Sequence, residues 1–358
     1  MKNIAVIFGG RSVEHDISIL TGLHAAKHVE SYRVHYVYIT RDNRMMTGQG
    51  LANLDNYISG KVKGKPVHFA NGHMYIKNRQ VKIEAVLNCC HGGVGENGEL
   101  AGYFAVASVP VTSCGYFAAA QLQSKSQTRE VLTKAGFNQP RYIVVEQSTE
   151  ENYMEVLKAN KIDFPVIVKP DTLGSSIGIN VARDEGQLDA MLTLAFSLDD
   201  RVIVEEFLPD IQEINCSAIG DEVSACEEIS NKGDFLNFET KYLDSGSGFI
   251  KKGKSRGNSK KIQHEDQIKE LTKKTYKLFE ASGVVRADFM VSGEKIYLNE
   301  MNTVPGFLSY HLWARSGIPY GVMIDKLVKQ CVASHNKRQS RVTQFKSDIL
   351  VKNKRLLD

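Results

Sequence analysis

Arg286-Ala-Asp288 is followed, ten residues on, by Leu298-Asn-Glu300-Met-Asn302-Thr-Val-Pro-Gly306. Glu300 and Asn302 lie two apart, so in a strand both project to one face. Asp288 reaches that face from the preceding strand, across a turn near Val291-Ser-Gly293-Glu294. Three hard oxygen ligands in this spacing suit Mg²⁺ on a nucleotide phosphate. The apolar neighbours Phe289, Tyr297, Leu298 and Met301 predict a half-buried hairpin rather than a wet one.

The 358 residues allow two or three lobes with a substantial core. A net charge of +4 with 24% charged residues does not point to nucleic acid or membrane. A small-molecule partner is expected instead. The six cysteines form no CxxC pair and no zinc spacing. Four of them sit in strand-like apolar runs, where thiols pack as small hydrophobes. The apolar run at residues 4–8 is too short for a signal peptide, and no stretch approaches a membrane span. A reducing cytoplasm is the expected location.

Apolar runs at residues 4–8, 34–39 and 85–90 alternate with a helical pattern at 17–29, predicting an α/β N-terminal domain on a parallel sheet. It is bounded at 1–117. A helix over 118–135 opens a central lobe, 118–206, with strands at 142–145, 164–169 and 202–207. There Ser148-Thr-Glu-Glu151 reads as a capping box and residues 185–196 as a helix. A C-terminal lobe, 207–334, holds the metal hairpin and a last helix at about 320–333. Residues 335–358 are expected to be a solvated basic tail. Residues 244–259, rich in glycine, serine and lysine, predict a loop with almost nothing to bury.

Two motif matches fail on context. Gly248-Phe-Ile-Lys-Lys-Gly253-Lys254-Ser255 fits the P-loop pattern, but no buried strand precedes it and no helix former follows. Gly93-Val-Gly95-Glu-Asn-Gly98 follows a strand, yet no acidic residue stands near twenty positions on to hold a ribose. Hydride transfer is therefore disfavoured.

Lys169-Pro170 ends a strand before Asp171-Thr-Leu-Gly174-Ser175-Ser176-Ile-Gly178. A lysine there can hold an α- or β-phosphate, and the loop amides with the Ser175 hydroxyl can face the γ-phosphate. Val204-Glu205-Glu206-Phe207-Leu208 can offer backbone to an adenine edge, and Glu213 can take ribose hydroxyls. The order of these pieces, rather than any one of them, resembles the ATP-grasp superfamily and, within it, the D-alanine–D-alanine ligase family. The resemblance spans about residues 3–330. Its most specific segments also include Phe8-Gly-Gly-Arg-Ser-Val-Glu14-His-Asp-Ile-Ser18, His91-Gly-Gly-Val-Gly-Glu96-Asn-Gly98 and Glu239-Thr-Lys241-Tyr242.

The resemblance implies three domains with ATP between the central and C-terminal sheets. It implies phosphorylation of one D-alanine carboxylate by ATP, then attack by the amine of a second, for peptidoglycan precursors. By position, Glu14 would hold the first ammonium. Ser175 and Tyr242 would join it in fastening residues 244–259 as a lid. Lys125, Lys169 and Lys241 would hold phosphates, with Ser176 beside them; Asp288, Glu300 and Asn302 would hold two Mg²⁺ (or Mn²⁺). Arg286 and the Gly306 amide would stabilise the oxyanion, and His91 would border the substrate. A homodimer is also implied. The chain departs past Gly306, where a serine–leucine pair usually holds the second carboxylate: His311 and Leu312 stand there. The helix carries Gln123-Ser124-Lys125 where Met-Asp-Lys is usual, and Asn97 stands where aspartate is common. The departures past Gly306 leave open a second substrate other than D-alanine, with pH-dependent affinity through His311.

Overall fold

A computed structural model describes residues 1–147, 152–229, 262–343 and 345–353. The capping box at 148–151, the lid at 244–259, the P-loop match at 248–255, and Lys241 and Tyr242 lie outside the described residues. Along the chain run β1 (Asn3–Gly9), α1 (His15–Lys27), β2 (Arg33–Ile39), β3 (Met45–Thr47), α2 (Leu54–Ile58), β4 (Lys65–Ala70), β5 (His73–Ile76), β6 (Arg79–Lys82), β7 (Ala85–Asn88) and α3 (Glu99–Val106). Next come α4 (Tyr116–Gln123), α5 (Lys125–Lys134), β8 (Tyr142–Glu146), α6 (Tyr153–Ala159), β9 (Val166–Pro170), β10 (Asn180–Ala182), α7 (Glu185–Phe196) and β11 (Arg201–Glu206). The remainder is β12 (Gln212–Ile219), β13 (Glu222–Val223), β14 (Glu227–Ile229), α8 (Glu265–Leu278), β15 (Val284–Ser292), β16 (Lys295–Asn302), α9 (Tyr310–Arg315), α10 (Tyr320–Gln339) and α11 (Ile349–Lys352).

Among the described residues these strands form three sheets. The N-terminal sheet has the order β6-β5-β4-β3-β2-β1-β7. β1 lies parallel to both β2 and β7, as the alternation predicts. The rest is antiparallel, so the sheet is mixed rather than parallel throughout. The four added strands are short and joined by turns such as Asn71-Gly72, both at positive φ, so no helical spacing announced them. β1 is buried on both faces, which is why it reads as a continuous apolar run. Ile4, Val6 and Phe8 meet α1 and α10, while Ala5 and Ile7 meet Leu100 and Phe104 of α3. Helix α1 approaches β1 so closely at Gly22 that a Cβ there would sit 2.4 Å from the Phe8 ring.

The central sheet, β10-β9-β11-β8, is antiparallel and covered by α6 and α7 through Leu157, Leu188 and Leu192. The C-terminal sheet runs β13-β12-β15-β16, with β14 also on β12. Alternate residues of β15 (Val285, Ala287, Phe289, Val291) face a core shared with α4, α5 and α8. Their neighbours Arg286 and Asp288 therefore face the other way.

Two helices depart from expectation. The single helix over 118–135 breaks at Ser124, whose side chain accepts the Gln127 N–H at 3.3 Å and caps α5. Asp171 accepts the Ser126 N–H at 2.7 Å and the Ser124 hydroxyl at 2.6 Å, so the break is tied to the loop after β9. Helix α10 runs to Gln339, beyond the expected end, and packs Met323, Ile324 and Leu327 against Phe8 and Leu87 of the N-terminal sheet. No helix among the described residues is long and apolar enough to cross a membrane.

Candidate active site

The two strands of the hairpin bring its acids together. Asp288 and Glu300 are direct cross-strand partners, and Arg286 pairs with Asn302. A register shift after Asp288 places Phe289 opposite Leu298, so Asn299 is the extra, bulged residue. Because of it Asn299, Glu300 and Asn302 all turn from the core while Leu298 and Met301 stay in it. The Arg286 guanidinium grips Asp288 through two hydrogen bonds of 2.6 Å, and Asn302 donates to Asp288 Oδ2 at 2.9 Å.

Two like charges directly opposite on adjacent strands repel. Here they are offset by cations from other elements. Lys169, at the end of β9, donates to Asn299 Oδ1 at 3.2 Å and pairs with Glu205. Lys125, on the first turn of α5, donates to the Leu173 carbonyl at 2.5 Å. Burial holds its ammonium below the usual lysine value, with Glu300 pulling the other way. Two of the three sequence-predicted lysines, Lys125 and Lys169, thus converge on the hairpin. Among the described residues no three His, Cys, Asp or Glu side chains form a metal cluster. The donor set is two carboxylates and one amide, hard oxygens on one face beside the Lys125 and Lys169 ammonium groups, and it fits a divalent cation carried with a phosphate.

Glu205 does not face a ligand with its side chain. It is buried between Arg129 and Lys169, and it pairs with both. Burial pushes its carboxyl up, but the two cations outweigh that and hold it below the usual range. Glu206 instead accepts from the backbone N–H of Arg141 at 2.8 Å and from its Nε at 2.7 Å. Together with Leu208, Tyr142 and Tyr297 it lines a cleft of about 730 Å³. Glu213 stands on the same face of β12 as Asn215, two residues before it.

A second cluster closes from the N-terminal side. Ser175 and Ser176 take left-handed backbone conformations, φ 56° and 58°, uncommon for serine and typical of functional loops. The turn aims the Ser175 hydroxyl at Glu14, where α1 begins, and it donates to that carboxylate. Gly92 is required opposite: at φ 64° any Cβ would fall 2.7 Å from Glu14 Oε2. His91 is buried, its Nδ1 2.7 Å from the Val304 carbonyl and its Nε2 2.7 Å from Thr21 Oγ1. Burial pushes the neighbouring Glu96 carboxyl upward, with the His91 ring opposing.

Past Gly306 the arrangement differs from expectation. His311 Nε2 lies 2.9 Å from Glu227, and Arg315 lies 2.8 Å from the same carboxylate. Leu312 is wholly buried, so its side chain packs rather than binds. Glu227 belongs to the active face: Glu227, Asn215, Asp288 and Glu300 form one row across β14, β12, β15 and β16. Glu227, Arg129, Asn299 and Thr21 carry no local signal, because their partners are distant along the chain. Asp171 alone had one, standing within the loop motif after Lys169.

Residues 3–114 match the family described as D-ala D-ala ligase N-terminus, and residues 131–333 match D-ala D-ala ligase C-terminus. A D-alanine–D-alanine ligase of Thermosipho africanus is 30% identical, with 98% of each chain covered. That of Thermosipho melanesiensis is 32% identical over 92% of this chain and 93% of its own. Among solved structures, the VanG D-Ala:D-Ser ligase of Enterococcus faecalis superposes with a TM-score of 0.79. It is 27% identical, over 92% of this chain and 99% of that one. The chain belongs to the D-alanine–D-alanine ligase family, with its ATP-grasp fold.

Proposed function

We propose that the protein is an ATP-dependent carboxylate–amine ligase that forms D-alanyl-D-alanine for peptidoglycan precursors. The observation that carries this reading is the convergence of Lys125, Lys169, Arg286 and the Asp288–Glu300 pair opposite the Glu14–Ser175 contact. In the reaction, a carboxylate oxygen of the first D-alanine attacks the γ-phosphorus and ADP leaves. The amine of the second attacks the resulting acyl phosphate, loses a proton, and phosphate departs. Phosphoryl transfer needs positioning and charge neutralisation more than covalent help. Lys125, Lys169 and Lys241 supply positive charge, with Ser175 and Ser176 at the phosphate loop. Asp288, Glu300 and Asn302 would hold two Mg²⁺, which when bound neutralise charge on the transferring group. Glu14 and His91 border the first D-alanine. Arg286 and the Gly306 amide would face the oxyanion, and Tyr242 would act with Glu14 and Ser175 by resemblance alone. A cytoplasmic homodimer belongs to the same proposal. Purified protein with ATP, Mg²⁺ and D-alanine is expected to release phosphate and yield a product of the dipeptide mass; ATP turnover without dipeptide would overturn it.

A second reading concerns the acceptor. His311 stands where the family usually has serine, and the Glu227 contact with His311 and Arg315 supports an acceptor site of different polarity. With D-alanine and D-serine supplied together, His311→Ser is expected to change the product ratio by at least about 10-fold, roughly 1.4 kcal/mol of discrimination. Mass spectrometry of the dipeptides reads the ratio. An unchanged ratio would remove this reading and leave the first intact.

A further inference from the structure

Three consecutive residues after Gly306 occupy the left-handed region: Phe307, Leu308 and Ser309, with φ 50°, 54° and 53°. None is glycine or asparagine, and such a run persists only where its surroundings hold it. The support comes from α1, at the other end of the chain. The Phe307 N–H donates to Thr21 Oγ1 at 3.3 Å. One helical turn on, the His24 ring meets Phe307 at 5.5 Å and Tyr310 at 5.0 Å between centroids.

The hydrogen bonds have a definite direction. The Val304 carbonyl only accepts, so His91 Nδ1 carries the proton toward it. In the neutral ring Nε2 is then an acceptor, and the Thr21 hydroxyl donates to it. That leaves the Thr21 oxygen lone pairs for the Phe307 N–H. One hydroxyl therefore joins both sides of Gly306, through His91 to Val304 and directly to Phe307. Thr21 is fully buried.

We infer that Thr21 is a positioning residue for the ligation, one that sets the Gly306 amide against the reacting carboxyl through His91, Val304 and Phe307. The inference rests on the reading of Gly306 as an oxyanion donor. A hydroxyl two bonds removed from the chemistry should act on turnover and not on nucleotide binding. Thr21→Val keeps the shape and removes the hydroxyl; Thr21→Ser keeps the hydroxyl. For Thr21→Val the expected result is kcat lower on the order of 10²-fold, comparable to losing one oxyanion donor. KM for ATP should stay within about twofold, and Thr21→Ser should return kcat to within about threefold of the parent. Circular dichroism melts confirm folding, and Thr21→Ala replaces the valine variant if that one does not fold. An unchanged kcat in the folded valine or alanine variant, or a loss that serine does not restore, would overturn the inference. Absence of ligation by the parent protein would instead overturn the function proposed above.

Discussion

Glu300→Gln is expected to lower kcat on the order of 10³-fold, about 4 kcal/mol of barrier, while leaving the protein as stable as before or more so. The two effects have opposite sign for one reason. Asp288 and Glu300 face each other directly across antiparallel strands, with Lys125 and Arg286 as partial compensation. Neutralising one acid relieves a repulsion of a few tenths to about 1 kcal/mol in the folded state. The same change removes a charge that the phosphoryl group and its cation require. Steady-state phosphate release and thermal melting read the two separately. Lys326→Ala, which breaks an exposed pair with Glu222, is the control and should stay within about 0.5 kcal/mol in stability. A Glu300→Gln variant that loses activity together with several degrees of Tm would indicate a structural role instead.

Glu205→Leu should be the most destabilising single change in the central sheet, by about 3–5 kcal/mol. It leaves Arg129 and Lys169 buried with no carboxylate between them. Arg129 retains only a partial substitute, its guanidinium 5.1 Å from the Tyr142 ring centre. Adding Arg129→Met should recover part of the loss, because one uncompensated charge is then removed. The pH dependence has a definite sign. The two cations hold the folded-state carboxyl below its ordinary value, so its contribution is present above the unfolded pKa of about 4.3 and disappears as pH falls through the lower, folded one. The difference in Tm between the parent and Glu205→Gln should therefore persist through neutral pH and shrink only in acid. A difference that grows toward low pH would contradict the arrangement.

Much of the centre is legible in the sequence. Alternation in one strand suffices to place Glu300 with Asn302, and the apolar residues between them establish which side is wet. The lysine at the end of β9 followed from its motif, and Lys125 from the order of segments. What escaped has a common physical origin. The Asn299 bulge breaks the two-residue period that makes strands readable. Ser124 divides an apparently continuous helix because Asp171, 47 residues away, holds its hydroxyl. The pairing of the Glu205 side chain had no local signal because its partners lie on a distant helix and a neighbouring strand. The His311 contact with Glu227 was not announced because Glu227 is far back in the chain. Antiparallel β3 to β6 are too short, three to six residues each, to stand out. Lys241 and Tyr242 keep the roles assigned by resemblance alone.

The bulge also bears on which changes in length this hairpin can survive. Deleting Asn299 would join Leu298 directly to Glu300 and restore regular pleating, with Glu300 still opposite Asp288 and Met301 still in the core. What such a deletion removes is the Asn299 oxygen that the Lys169 ammonium reaches, not the ligands. Loss of Met301 would instead turn Asn302 inward, so the hairpin tolerates a change of length at its bulge better than beyond it.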